Sequence, residues 1–328
     1  MRHLLLCCLL ACTADVDGLA TDPGDRPHPA FASSDLFGMN VPADGSHADV
    51  VGDLGASWAR LELVDESYGS ELAPDVSARV AATLDDYHAR GIRVLVLVDY
   101  ATMGGYPGFG HGTPCGDWLG WRDTWLARIG AVARQLGDRV DAWEVWNEPD
   151  QPMLGCGDGG YNPGMPAYQY GFLLRGAYYA LATGAPIVTG GLDSGQVSYV
   201  NDARAAADGL YADAVAIHPY GVGLDVWCPD PGEGLNCAFG TIDGKLDEYY
   251  AATGRPIWIT ELGIDTGDSY HQADYITGMY AELAVRGDRV AHAFYFGLSD
   301  AMVAPFGLTD ADWNAKPGAY DAYRAAAH

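Results

Sequence analysis

A chain of 328 residues that is 49% hydrophobic and only 19% charged can bury a large core without a partner, so one globular unit and a monomer are expected. Forty-four acidic against eighteen basic side chains leave a formal charge of −26, which repels phosphate backbones and anionic head groups and excludes nucleic acid as a partner. Neutral or cationic substrates fit that charge.

The first residues place Arg2 and His3 before an apolar run far too short to span a bilayer, the pattern of an export signal over residues 1–11. Leu9-Leu10-Ala11-Cys12 resembles a bacterial lipobox, which implies cleavage before Cys12 and its lipidation; an ordinary cleaved signal with a chance cysteine is the other reading. Contact with a membrane is expected only through that anchor, and the location is the cell envelope or the exterior. Residues 12–30 are rich in Asp, Gly and Pro with almost no large apolar side chain, as in a flexible tether. The folded domain is then residues 31–328.

From residue 35 short apolar runs alternate with longer amphipathic or Ala-rich stretches, the mark of repeated βα units and a parallel sheet. Eight strands are expected in chain order: Leu36–Val41, Ser57–Leu63, Arg93–Asp99, Val140–Asn147, Pro186–Gly191, Ala214–His218, Ile257–Glu261 and Val290–Phe296. Helices are expected between them, such as Pro74–Arg90, stopped by Gly91, and Trp118–Leu136, stopped by Gly137. Eight such units close into an α/β fold of the (β/α)8 TIM-barrel type, a single domain. A doubly wound open sheet is the alternative, but no GxGxxG follows the first strand. The loops after strands three, four, six and eight are long and rich in Gly, Pro and aromatics. They lie on the face where barrels place their chemistry.

Beyond the leader, four cysteines remain: Cys115, Cys156, Cys228 and Cys237. Export favours disulfides, and four cysteines allow three pairings. Cys228 and Cys237 flank one Pro/Gly-rich loop, and their closeness favours that pair, leaving Cys115 for Cys156. No CxxC or HxxxH accompanies them, so neither a metal site nor a cofactor is expected.

Strand four ends Trp143-Glu144-Val145-Trp146-Asn147-Glu148-Pro149, and strand seven ends Ile257-Trp258-Ile259-Thr260-Glu261-Leu262-Gly263. Glu148 and Glu261 thus reach the same rim from strands three βα units apart, able to face each other across a barrel mouth. Two such carboxylates suit glycoside hydrolysis: one protonates the leaving oxygen while the other attacks, or activates water, at the anomeric carbon.

Trp146-Asn147-Glu148-Pro149 with Ile259-Thr260-Glu261-Leu262-Gly263 resembles clan A of the glycoside hydrolases, the retaining cellulase, mannanase and xylosidase superfamily. Ile217-His218-Pro219-Tyr220, Phe306-Gly307-Leu308 and Lys316-Pro317-Gly318-Ala319-Tyr320 extend the resemblance from about Leu36 to Arg324. It implies an O-glycosyl hydrolase acting on a polysaccharide or oligosaccharide, with Glu148 as general acid/base, Glu261 as nucleophile and Asn147 on the sugar 2-hydroxyl. The two carboxyl groups would stand about 5–5.5 Å apart, and their repulsion would keep Glu148 protonated beside an ionised Glu261.

The resemblance also implies that Arg60 supports the nucleophile and that Tyr220 hydrogen-bonds it. On strand two Trp58, Arg60 and Glu62 share a face, so a structural ion pair of Arg60 with Glu144 or Glu62 competes with that role. For His218 a satisfied core histidine competes with a subsite role, and Glu144 reads as an inner-layer structural acid. Asn40 and Asp99 end strands one and three, where they can bind sugar hydroxyls or simply form turns. Among many aromatics, Trp146 and Trp227 are expected as sugar platforms; Trp118, Trp121, Tyr100, Tyr106 and Tyr161 are expected to pack in the core or loops. Many clan members end strand eight with tryptophan, whereas this chain reads Ala293-Phe294-Tyr295-Phe296-Gly297, so Tyr295 or Phe296 takes that place. A glycan-binding lipoprotein that has lost turnover, and an inverting or transglycosylating enzyme, are the competing readings. A β-linked neutral glycan is the default substrate.

Overall fold

The computed structural model describes residues 35–104, 117–151, 164–220 and 242–328. The leader and tether, Cys12, Cys115, Cys156, Cys228, Cys237, Trp227, Tyr106 and Tyr161 lie outside the described residues.

Eight strands follow in the expected order: β1 (Phe37–Asn40), β2 (Trp58–Glu62), β3 (Arg93–Val98), β4 (Ala142–Asn147), β5 (Ile187–Gly191), β6 (Val215–Ile217), β7 (Ile257–Leu262) and β8 (Val290–Tyr295). Between and after them run α1 (Ala48–Asp53), α2 (Pro74–Ala89), α3 (Trp118–Leu136), α4 (Ala167–Ala180), α5 (Val197–Ala207), α6 (Ile242–Thr253), α7 (Ser269–Ala284) and α8 (Ala319–Ala327). All ladders are parallel, in the order β5-β4-β3-β2-β1-β8-β7-β6. Sparse bonds close the seam between the two end strands, with Thr189 N donating to Ala214 O at 3.1 Å and His218 N to Leu192 O at 2.9 Å. The result is a (β/α)8 barrel.

Helix boundaries follow local chemistry. Pro74 opens α2 where its missing N–H costs nothing. Asp117 caps α3 by accepting from Gly120 N at 3.0 Å. Gly137 ends α3 at a positive φ of 57°, a conformation glycine reaches without a Cβ clash. Among the described residues no helix is long and apolar enough to cross a membrane.

Strands buried on both faces read as near-continuous apolar runs, and the core accordingly has two parts. The larger lies between strands and helices and includes Val94, Val96, Trp143, Val145, Ile257 and Ile259. A smaller one fills the barrel interior with Trp58, Leu95, Ala142, Val188, Ala216, Trp258 and Phe294. Strand alternation carries the inward face upward from that plug, from Trp58 to Arg60 to Glu62 on β2 and from Ala142 to Glu144 on β4.

Two breaks in the alternation shape the rim. On β7 a register shift against β8 falls between Ile259 and Leu262, so consecutive residues Thr260 and Glu261 both reach the interior side while Leu262 joins the outer core. On β4 Trp146 takes a φ of 77° and Glu148 one of 48°. Trp146 therefore turns away from the interior, although its parity alone would place it inside.

Candidate active site

Arg60 is the hub of the rim. Buried at the second inward position of β2, it donates from Nε to Glu144 Oε2 at 2.5 Å and from Nη1 to Glu261 Oε1 at 2.7 Å. The same guanidinium donates to Asn40 Oδ1 and Asn147 Oδ1, each at 2.9 Å. Both roles weighed for it thus coexist: it is ion-paired to the inner Glu144 and to the rim Glu261. Glu144 is fully buried and also accepts from Gly191 N at 3.1 Å and Thr260 Oγ1 at 2.9 Å, so it anchors β2, β5 and β7 to one carboxylate.

Glu261 receives a second donor from the loop after the neighbouring strand β6, Tyr220 Oη, at 2.6 Å. Burial by itself would raise its pKa, but the charges of His218 and Arg60 and the hydrogen bonds from Tyr220 and Arg60 outweigh that and hold the carboxyl below its ordinary range. Glu148 behaves oppositely. Its burial, with the negative charges of Glu261 and Asp193, overcomes the hydrogen bond and charge of His218 and moves its pKa up.

His218 links the two. Its Nδ1 lies 3.0 Å from Glu148 Oε1 and its Nε2 3.0 Å from Thr260 Oγ1. Because the Thr260 hydroxyl donates to Glu144, it must accept from His218, which places a proton on Nε2 and leaves Nδ1 to share one with Glu148. Burial pushes the imidazole pKa down, but Glu261 and Glu148 together carry it above its usual value. Room for the ring comes from Gly191: a Cβ there would collide with the imidazole. The other oxygen of Glu148 accepts from Gln151 Nε2 at 2.6 Å, and Gln151 also reaches Asp193 Oδ2 at 3.2 Å.

Glu148, His218 and Glu261 each offer one ligand atom within 4.8 Å of the others, the one such metal-capable group among the described residues. Arg60 already supplies a cation at 2.7 Å from Glu261, and a proton is shared between Glu148 and His218. The donor set is therefore an acid/base set in which a metal ion would compete with both.

A cavity of about 530 Å³ opens on these groups, lined by Asn40, Arg60, Glu62, Asn147, Glu148, Glu261 and Phe296 together with residues of the loops after β1, β3 and β8. Four expectations are corrected or narrowed to one of their readings. Trp146 is no platform: it is fully buried, packed edge-on against Trp121 and Trp125 with centroids 5.7 and 5.9 Å away. Tyr295 faces outward to Tyr323, because β8 alternation sends Phe294 and Phe296 inward, and Phe296 lines the cavity. Asp99 is fully buried and accepts from Ala101 N at 2.7 Å, the turn-forming role; burial and then Glu62 hold its carboxyl well above the usual range. Asn40 lines the cavity, but its Nδ2 donates to Thr260 O at 2.9 Å while its Oδ1 holds Arg60, so the amide serves the protein. Tyr100 lines the cavity besides packing on Trp146.

Sequence reasoning missed Thr260, Gln151, Asp193 and Trp313. Thr260 sits beside Glu261 in a motif that had been read, and Gln151 lies two residues past the end of the other. The other two come from loops after β5 and β8, where nothing in the sequence marks them.

Residues 121–311, more than half of the chain, match the profile of the family described as "Glycosyl hydrolase catalytic core". The chain belongs to that family. The match covers β4 through β8 and hence both rim glutamates, so this glycoside hydrolase carries its carboxylate pair inside the matched core. Among solved structures it is similar to a family 39 glycoside hydrolase from the gut symbiont Bacteroides cellulosilyticus WH2, with TM-score 0.66 and 19% identity over 91% of this chain. It spans 65% of that protein's length. A GH5-4 broad-specificity endoglucanase from Clostridium longisporum matches with TM-score 0.64 and 14% identity, over 90% of this chain and 96% of that one. A psychrophilic family 10 endo-β-1,4-xylanase matches with TM-score 0.60 and 17% identity, over 88% and 96%. Identities this low speak to fold alone. No curated protein matches the sequence. The clan A resemblance read from the motifs is borne out by the family match and the shared barrel.

Proposed function

We propose that the protein is a retaining β-glycosidase that works by double displacement, with Glu148 as general acid/base and Glu261 as nucleophile. The observation that carries this reading is the rim pair itself. One carboxylate oxygen of each residue lies within 4.8 Å of one on the other, which suits a carboxyl separation of roughly 5–5.5 Å, as in retaining enzymes, better than the ~6.5–9.5 Å that leaves room for a water in inverting ones.

Arg60 and Tyr220 aim and ionise Glu261. In the first step its carboxylate attacks the anomeric carbon as the glycosidic C–O bond breaks, and the departing oxygen takes the proton of Glu148. In the second step Glu148, now a base, removes a proton from water as that water displaces Glu261 and returns it as a carboxylate. Asn147, oriented by Arg60, is the group placed to bind the 2-hydroxyl beside the reacting carbon. His218, hydrogen-bonded to Glu148 through Nδ1, moderates the proton affinity of that carboxyl as it gives up a proton and regains one.

The acidic surface favours a neutral β-linked polysaccharide or oligosaccharide. The leader sequence supports export, with Cys12 as lipid attachment point and the disulfides Cys228–Cys237 and Cys115–Cys156 formed after secretion. The test is reducing-end release from a panel of neutral, amino-sugar and acidic glycans, beside a Glu261→Ala control, with the first product's anomer read by NMR. Release with retained configuration, lost in the control, supports the reading. Inverted configuration overturns the double displacement. Binding without release moves the protein to a glycan-binding role.

A further inference from the structure

Among the described residues the lining of the cavity comes from the ends of β1, β2, β3, β4, β7 and β8, with none from β5 or β6. This described part of the cavity runs from the glutamate pair toward the loops after β1 and β8, while Asp193 and His218 flank Glu148. On the glycosidase reading above, this is the side of the sugar that stays bonded to Glu261 and of whatever precedes it. Next to the glutamates the wall is polar, with Arg60, Asn40 and Asn147. Where the loops after β1 and β8 meet it becomes apolar, with Pro42, Met302, Val303 and the half-buried Trp313.

Trp313 is not left there by chance packing. Its ring stacks on His47, with centroids 3.5 Å apart and planes inclined by 17°. Both residues sit at a positive φ of 67°, a conformation uncommon for non-glycine residues and strained for a bulky one. The turn is held by Trp313 N donating to Asp310 O at 3.0 Å and by Asp312 N and Asn314 N donating to Asp310 Oδ1, each at 2.9 Å. A braced, partly exposed indole thus stands on the cavity wall. A flat aromatic face of this kind takes the C–H face of a pyranose, and the carboxyl of Glu62 also lines the cavity.

We propose that Trp313, braced by His47, is the platform of a second pyranose subsite on the glycone side, so that the preferred donor is a β-linked disaccharide unit or longer. This rests on the glycosidase reading above. The test uses the full chain and aryl β-glycosides of glucose, mannose and xylose, each beside the aryl glycoside of its β-1,4-linked disaccharide. The wild type is expected to show kcat/KM at least about tenfold higher on the disaccharide of one series. Trp313→Ala should lower that disaccharide-to-monosaccharide ratio about tenfold, His47→Ala by less, and Trp313→Phe should keep most of it. A ratio near one in the wild type, or one that both Trp313→Phe and His47→Ala leave as Trp313→Ala does, overturns the subsite and leaves the glycosidase intact. Aryl alcohol released from none of the glycosides overturns the subsite, and if the glycan panel above also yields no reducing ends the glycosidase reading falls with it.

Discussion

The two ends of the barrel interior are built from the same strands by opposite chemistry. At the N-terminal end Trp58, Trp258, His292 and Phe294 form an aromatic plug, with Trp258 and His292 centroids 4.2 Å apart and Trp58 and Trp258 5.3 Å apart. Even its histidine is kept neutral: burial takes the His292 pKa down to about 4, with its Nδ1 donating to Asp35 O at 2.6 Å. Two residues further along β2 the interior holds Arg60 between two buried carboxylates, and His218 there is carried upward in pKa. The plug excludes charge and contributes stability. The rim concentrates charge, at a desolvation cost its mutual pairing has to offset. A barrel can do both because each inward position is a separate layer with its own dielectric surroundings.

Breaking the rim should cost activity and breaking the plug should cost stability. The largest effect is expected for Glu261→Gln, a loss of kcat on the order of 10⁴-fold or more with the circular dichroism spectrum unchanged. At the other end Trp58→Ala should cost about 3–5 kcal/mol in urea unfolding, while kcat per folded molecule stays near the wild-type value. Acid sharpens the same contrast. His292 has a folded pKa of about 4 against 6.5 unfolded, so the unfolded chain binds more protons between those values. Its contribution falls as pH drops through that window, by about 3 kcal/mol in all, and His292→Gln should flatten this part of the stability profile.

Gly191→Ala pushes a methyl group into the His218 imidazole and should lower kcat by up to about 10²-fold through misplacement, with KM changed much less. The gentlest probe is the pH dependence of kcat/KM. Glu261 is depressed below 4.5, so activity should fall only as pH drops through that lowered value; Glu148 is raised above 4.5, so activity should fall as pH rises through its higher one. The profile is a bell, and Asp193→Asn should move its alkaline limb down, because the Asp193 charge raises Glu148.

Much of this could be read from the chain. Alternating apolar runs and helix stops placed all eight strands in order, and Trp118–Leu136 agrees with α3 to the residue. Parity also put Arg60 and Glu62 on the interior face with Trp58. It failed for Trp146, whose left-handed backbone sends it into the helix layer, and it could not foresee that Thr260 and Glu261 both reach the rim. Asp99 and Tyr295 were strand-end residues of suitable chemistry, but burial on the far side of the cavity wall decides their roles.

The sequence by itself therefore determined the barrel, its strand order and the pair of rim carboxylates, because two-residue and helical periodicities and short motifs are local properties of a chain. Only the tertiary structure decided that Arg60 binds Glu144 and Glu261 together, that His218 joins Glu148 to Thr260, and that Trp313 stands on His47. Those contacts join residues dozens to hundreds of positions apart, and they depend on one bulge and a few left-handed backbone angles that no periodicity announces.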